Sequence, residues 1–469
     1  MNNEFYFGSV YIIEQDVPLE EKMAELKYMK DTGFNLITLW PAANAWLCDD
    51  PLEFKFDETL KVLDRCEELG MKAIIQLFGQ NHSQEFLPDA LVTPEMQISS
   101  DVPADVNCIW ANLNHPEVRT AMNRYLEISV NALKDHPAVF GWDAFNEAHF
   151  CSNDPWTQAE YRKWLEKEYG DINLLNRKWY RRYKDFSQID PQFRRAPYSI
   201  WSSLLPAVEY EMFRSENLTD ICRWIYDEVK KHDSDHPVII DGTSGHILYP
   251  EITLRNNDEF RTAEIPDIYG ATFYPKSWGR NLGDDPCKCS LYFSVPFAAA
   301  RAAGKPYYVN ELQTHTQSVL TPGSEVEPEE LAIWTWMNIA IGAKGFQLWR
   351  WRPFRHGYQA TGRGLTRIDG QSSPRQDAIA DLVKVIRQDE AAFSSCMPLS
   401  PAVKIAVSYR GRLFHDSLHK WQENELPDAI LGWYRAFWET GVPVSLADLD
   451  NPAEFDPDTP VIVLPSTLR

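Results

Sequence analysis

The chain has 469 residues, 68 acidic against 46 basic, for a formal charge of −22 at pH 7. That balance repels nucleic acid and anionic membranes and favours a neutral or cationic partner, and no run approaches the roughly 20 apolar residues of a membrane helix. Such a length accommodates two or three domains, or one barrel enlarged by insertions with a smaller unit after it.

Apolar strand-like runs alternate with amphipathic stretches, the signature of parallel βα units. In chain order the strands are expected at Phe5 to Ile12, Phe34 to Trp40, Met71 to Phe78, Val139 to Phe145, Pro237 to Asp241, Asp267 to Tyr274, Pro306 to Asn310 and Gly345 to Trp349. Between and after them, Leu19 to Lys30, Phe56 to Leu69, Pro116 to Leu133, Val208 to Lys231, Ser294 to Ala303, Pro328 to Ile341 and Pro374 to Ala391 carry the 3.6-residue stripe of surface helices. Eight such strands predict a (β/α)8 TIM barrel over residues 1–395. Two long connections interrupt the cycle: a polar one from Gln80 to Asn114, and a Trp-, Tyr- and Arg-rich one over about 153–205, read as a helical insertion over the barrel mouth.

After Pro398 the pattern restarts with Val403 to Ser408, a helix from about Pro427 to Thr440, Val442 to Leu446 and Pro460 to Pro465. This is the opening of an open, flavodoxin-like α/β sheet occupying 400–469. Three strands and one clear helix do not cover both faces of a parallel sheet, so the native protein is expected to continue beyond Arg469.

Eight cysteines, at 48, 66, 108, 151, 222, 287, 289 and 396, form no CxxC pair and read as reduced thiols. The opening residues Met1 to Phe5 lack the basic and apolar segments of a signal peptide, which predicts a cytoplasmic chain. No dinucleotide, Walker or serine-hydrolase motif is present, and no cofactor is expected. His149 and His315 each follow a strand-end glutamate, but neither has a third metal ligand at the usual spacing; hydrogen bonding is the preferred reading.

Two strands end on an Asn-Glu pair. Ala138 to Glu147 reads AVFGWDAFNE and Pro306 to Glu311 reads PYYVNE, 164 residues apart at their glutamates. Carboxylates at the carboxyl ends of strands four and seven face each other across a barrel mouth, where acetal cleavage with retention needs an acid and a nucleophile. Glu147, with Trp142, Phe145 and Phe150 around it in sequence, suits the acid/base. Glu311 suits the nucleophile, kept ionised by donors from Tyr274 and from Arg350 and Arg352. Tyr274 is either an amphipathic rim residue or the phenol that holds the nucleophile, and Asn146 either a turn residue or the donor to a sugar 2-hydroxyl. With 17 tryptophans in the chain, Trp40, Trp46 and Trp349 at strand ends are candidates to stack on a sugar ring, or are core. Asn81 and His82 either bind hydroxyls or cap their loop.

WDAFNEAHF and YYVNE resemble the clan A retaining glycoside hydrolases. More narrowly, AVFGWDAFNE, YRKWLEKEYGDINLLNRKW, DIYGATFYP, IWTWMNIAIGAKGFQLWRWR and KIAVSYR are together similar to glycoside hydrolase family 42, the β-galactosidase family. The resemblance covers nearly the whole chain. It implies a retaining, exo-acting β-glycosidase with a carbohydrate substrate and no cofactor, Glu147 as acid/base, Glu311 as nucleophile, Asn146 on the 2-hydroxyl and Tyr274 orienting the nucleophile. It also implies that the unit after residue 400 is a trimerisation domain and the full-length protein a homotrimer. Departures fall around the sugar: Gln359 and Gly362 stand where the family usually has glutamate and histidine, Val319 where it has tryptophan, and FGQNHSQEF replaces its stretch after strand three. Gln359 keeps hydrogen-bonding capacity without charge and remains a binding candidate. Only Cys151 is left of the family's zinc-binding cysteines. A β-mannosidase or β-glucosidase of the same clan, or a non-catalytic carbohydrate-binding relative, is the alternative. A metal-dependent barrel hydrolase using His149 and His315 is the reading from another class.

Overall fold

A computed structural model describes residues 4–14, 16–40, 54–79, 93–99, 111–190, 203–243, 245–249, 256–277, 282–315, 324–355, 364–418, 425–455 and 461–465. Eight parallel strands close into a barrel in sequence order: β1 (Tyr6–Ile12), β2 (Leu36–Trp40), β3 (Lys72–Gln76), β4 (Val139–Phe145), β5 (Val238–Thr243), β6 (Ile268–Phe273), β7 (Tyr307–Gln313) and β8 (Gly345–Trp349), with β8 pairing back onto β1. Strands buried on both faces are apolar almost throughout, which is why they stand out in the sequence. The floor of the lumen is apolar, built from Leu36, Ile74, Ile239, Ile268 and Tyr308 with Tyr6 and Phe140. Gly8 is required where β1 passes β2, because a Cβ there would lie 1.5 Å from the Leu36 carbonyl oxygen.

Helices on the outside seal the second core. Their starts follow ordinary capping chemistry: Asp154 accepts from the backbone N–H groups of Trp156 (2.7 Å) and Thr157 (3.1 Å) to open the helix Pro155–Tyr169, and Glu327 with Glu330 forms a capping box on Pro328–Ile341. Among the described residues no helix is long and apolar enough to cross a membrane.

The described part of the segment after β4 contributes two α-helices, Pro155–Tyr169 and Ile172–Trp179, and its own small core of Tyr161, Leu165, Tyr169, Leu175, Trp179 and Ile189. That core closes on Tyr210 and Phe213 of the long helix Leu205–His232, and Tyr169 and Trp179 both donate to Glu209 on the same helix.

Beyond the barrel, β9 (Val403–Val407), β10 (Val444–Asp448) and β11 (Val461–Val463) form a parallel sheet in the order β10-β9-β11. Where one clear helix is expected between β9 and β10, the described residues form two, Tyr409–Leu418 and Glu425–Trp438. The sheet is tied to the barrel by Arg301, which donates to the Leu446 carbonyl (3.0 Å) and pairs with Glu454 (3.1 Å), and by the Arg261–Asp448 ion pair.

Candidate active site

Parallel strands all end on the same rim, so a polar residue placed just past an apolar run arrives at the barrel mouth. Four of the residues singled out from the sequence meet there. Asn146 and Glu147 follow β4, Glu311 lies within β7, and Tyr274 follows β6. The Asn146 side-chain amide donates to Glu311 Oε1 (3.0 Å), and the Tyr274 hydroxyl donates to Glu311 Oε2. Each oxygen of Glu311 therefore receives a donor, the arrangement that fixes a carboxylate's orientation.

Glu147 is held differently. Its backbone is left-handed, with φ 49°, uncommon for a residue other than glycine. Its amide N–H donates to Asp241 Oδ1 (3.0 Å) and its carbonyl contacts His149 Nδ1 (2.8 Å). Its carboxylate accepts from the Thr272 hydroxyl (2.6 Å), and Thr272 is the β6 residue in register with Glu311. Thr272 thus stands between the two glutamates, one side through its backbone and the other through its side chain.

Both glutamates are buried, at 5% and 4% exposure, which takes two carboxyls out of water in one place. Burial, then the charge of Glu147, pushes the Glu311 carboxyl well above the usual carboxylate range, against the downward pull of the Tyr274 and Asn146 donors. The expectation that cations steady Glu311 is corrected. Arg350 and Arg352 turn to the β1 side of the barrel: Arg350 donates to Glu14 (3.0 Å) and Arg352 pairs with Glu14 (3.3 Å) and Glu25 (2.7 Å). With their charge spent on these acids, burial and the neighbouring carboxylate decide the direction. Burial and Glu311 likewise push the Tyr274 phenol up, keeping it a donor.

Trp40 and Trp349, at the ends of β2 and β8, fall in one apolar group with Tyr274, Phe354, Val10 and Ile12. Trp349 is 8% exposed and Trp40 half-buried, so the group presents an aromatic wall beside Tyr274. Trp142, expected around Glu147, points outward instead, its indole N–H donating to Asp233 (2.9 Å); β4 pairs irregularly with β3 below it, which offsets the alternation. Asn81, His82, Trp46, Val319, Gln359 and Gly362 lie outside the described residues. Among the described residues no three His, Cys, Asp or Glu side chains group as a metal site.

Two site residues escaped the sequence reading. Thr272 sits two residues before Tyr274, the spacing that puts both on one face of a strand. Asp241 ends the apolar run PVIID of β5 as the glutamates end theirs, and that signal was available.

A closed parallel barrel whose rim gathers two buried glutamates, each served by its own donors, has the equipment of a barrel glycoside hydrolase. The chain belongs to glycoside hydrolase family 42: that family's model, described as beta-galactosidase, matches residues 11–388. It is 20% identical over 466 residues to the beta-galactosidase BglY of Alicyclobacillus acidocaldarius, covering 94% of this chain and 62% of that one. To the beta-galactosidase BgaB of a Geobacillus species it is 24% identical over 375 residues, covering 75% of this chain and 51% of the relative. The chain therefore spans between half and two thirds of these relatives. Its fold is that of the beta-galactosidase from the psychrophilic Marinomonas ef1, with a TM-score of 0.83, 16% identity and coverage of 98% and 72%. A Streptomyces cattleya GH5_18 solved in complex with GlcNAc matches at a TM-score of 0.63 with 14% identity, covering 99% of this chain and all of that one.

Proposed function

We propose that this chain carries the active site of a retaining, exo-acting β-galactosidase-type glycosidase that hydrolyses terminal β-linked sugars by double displacement. The observation that supports it most directly is the asymmetric treatment of the two glutamates, with Tyr274 and Asn146 donating to Glu311 while Glu147 accepts from Thr272. Glu147 gives its proton to the leaving oxygen as Glu311 attacks the anomeric carbon. Glu147 then takes a proton from the water that releases the sugar from Glu311. Once Glu311 is glycosylated, the Asn146 amide is free to turn to the sugar 2-hydroxyl, and Tyr274 remains on the ester oxygen. Trp40 and Trp349 supply the wall for the apolar face of the ring, with Asn81, His82 and Gln359 on its hydroxyls.

Galactose is the proposed sugar because the relatives bear that activity in their names. Division into a catalytic unit over 1–395 and a second unit over 400–469, a homotrimer built through the latter, and a cytoplasmic location belong to the same proposal and rest on the family resemblance. The double displacement calls for no cofactor.

The test is a panel of nitrophenyl β-glycosides offered to the wild type and to Glu311→Ala with and without azide. The expected result is cleavage of the galactoside, a loss of about 10,000-fold in Glu311→Ala, and partial recovery with azide through the inverted glycosyl azide. Cleavage of a mannoside or glucoside alone overturns the galactose assignment but keeps the mechanism. No cleavage of any sugar by the wild type, with binding on a glycan array, makes the chain a binding protein.

A further inference from the structure

The end of β4 is held by one side chain that the proposed double displacement does not use. β5 pairs regularly with β4 only up to Asp143 and Ile239; past that point the register shifts. After one further pair, Phe145 with Ile240, the strand end is held by Asp241, whose side chain is fully buried. Three successive residues dock on it. The Asn146 amide reaches Asp241 Oδ2 (3.5 Å), the Glu147 N–H donates to Oδ1 (3.0 Å), and the Ala148 N–H donates to the Asp241 carbonyl (2.8 Å).

We infer that Asp241 is a positioning residue, which sets the left-handed turn that aims Glu147 and turns the Asn146 amide so that it reaches both Asp241 and Glu311. The inference rests on the proposed roles of Glu147 and Glu311. Two donors, one from the backbone and one from a side chain, converge on the two oxygens of a single group, and an acid side chain, unlike an amide, has an acceptor oxygen for each. An asparagine of the same shape accepts at one oxygen and sets its own NH2 against the other donor. The turn at Glu147 is one that L-residues rarely adopt, so it needs an outside partner to hold it.

A fold-stabilising role would not call for this charge. Asp241 lies among Asp143, Glu147 and Glu311, and burial followed by these three charges pushes its carboxyl up. Removing a buried acid from such company relieves repulsion. Stability and catalysis should therefore move apart in Asp241→Asn, which separates positioning from simple packing.

The experiment compares wild type and Asp241→Asn on the 2,4-dinitrophenyl and the methyl glycoside of whichever sugar the wild type cleaves, with melting temperatures alongside. The dinitrophenyl leaving group needs no proton and the methyl group does. Expected are an unchanged or raised melting temperature, a kcat/KM about 100-fold lower on the methyl glycoside, as an acid displaced by about 1 Å would give, and a loss below tenfold on the dinitrophenyl glycoside. Equal losses on both, or no loss on either, overturn the inference. If the wild type cleaves no sugar, the proposed function has failed, and a crystal structure of the variant still decides the positioning. A left-handed Glu147 with Asn146 unmoved then overturns it, and a displaced pair upholds it. Should Asp241→Asn not fold, Asp241→Ser, smaller and uncharged, takes its place in the same comparisons.

Discussion

The ends of β4 and β7 carry the same dipeptide, Asn-Glu, and use it in different ways. Glu311 is still inside its strand, and its side chain is fixed from outside by Tyr274 and Asn146. Glu147 lies past the end of its strand in a left-handed turn, fixed through its backbone by Asp241. The asparagines divide likewise: Asn146 reaches across to Glu311, whereas Asn310 packs over Gly270 on β6, where a Cβ would come within 2.6 Å of its amide oxygen. One glutamate is thus positioned by donors aimed at both oxygens of its carboxylate, and the other by the path of its chain together with the Thr272 hydroxyl. A nucleophile that must meet a single carbon suits the first, and an acid that must shuttle a proton to two different oxygens suits the second.

Removing Glu147 breaks this comparison most sharply. Glu147→Ala is expected to lose about 1,000-fold in kcat/KM on glycosides with poor leaving groups and far less on dinitrophenyl glycosides. Added azide should then give a glycosyl azide of retained configuration, opposite to that from Glu311→Ala. The stereochemistry of the two azides, read by NMR, assigns the roles independently of rate. Swapped configurations would exchange the assignment, and identical ones would abolish it.

Tyr274→Phe tests the other end. It removes one of two donors on Glu311, and a loss of about 100-fold in kcat is expected, the usual cost of one donor at a charge-bearing oxygen. Tyr274 also works against the upward push that burial and Glu147 exert on Glu311. Without it the Glu311 carboxyl rises further, and since Glu311 must be ionised to attack, the acidic limb of the kcat/KM profile should move to higher pH. An acidic limb that stays in place would mean that Tyr274 only packs against Trp349 and Trp40.

The difference between the two ends also governs what the sequence reveals. Strands β4 and β8 and the helices Pro116–Leu133 and Pro328–Ile341 have the residue bounds that their periodicity predicts, because apolar runs and proline starts mark them. The helix Pro286–Ala302 starts eight residues earlier than expected, since it is buried on most sides and carries Pro296 inside, so no clean stripe marks its first half. A four-residue helix, Glu259–Thr262, is too short to show a period. In the site, Glu311 and Tyr274 are legible because strand position alone aims them at each other. Asp241 carries the same strand-end signal, but its role, like that of Thr272, lies in what its neighbours' backbone and side chains do, which the pattern does not show. Arg350 and Arg352 were misread for the same reason: a cation next to a strand end in sequence is claimed by whichever acid it reaches first, here Glu14.

The dependence of the β4 end on buried acids extends one layer further back, and this yields the smallest effect. Asn257 donates to the Ala148 carbonyl (3.2 Å), and it leads into Asp258 and Glu259, the latter accepting from the N–H groups of Gly245 (3.2 Å) and His246 (3.0 Å). Burial raises the Glu259 carboxyl to about 8, against the pull of those two N–H groups, and the Asp258 carboxyl to about 7, against the pull of Arg261. In the unfolded chain both titrate near their ordinary values of about 4. Between those values and 7 to 8, the folded chain holds protons that the unfolded chain has released, so stability falls as pH rises through this window. Melting temperature measured from pH 5 to pH 9 should decline across it by a few degrees more in the wild type than in Glu259→Gln, which has no proton to lose. The slope is the informative quantity, because the substitution also costs one of the two backbone hydrogen bonds at every pH. Parallel slopes would show that Glu259 is ionised in the folded chain, and that the support behind Glu147 ends at Asp241.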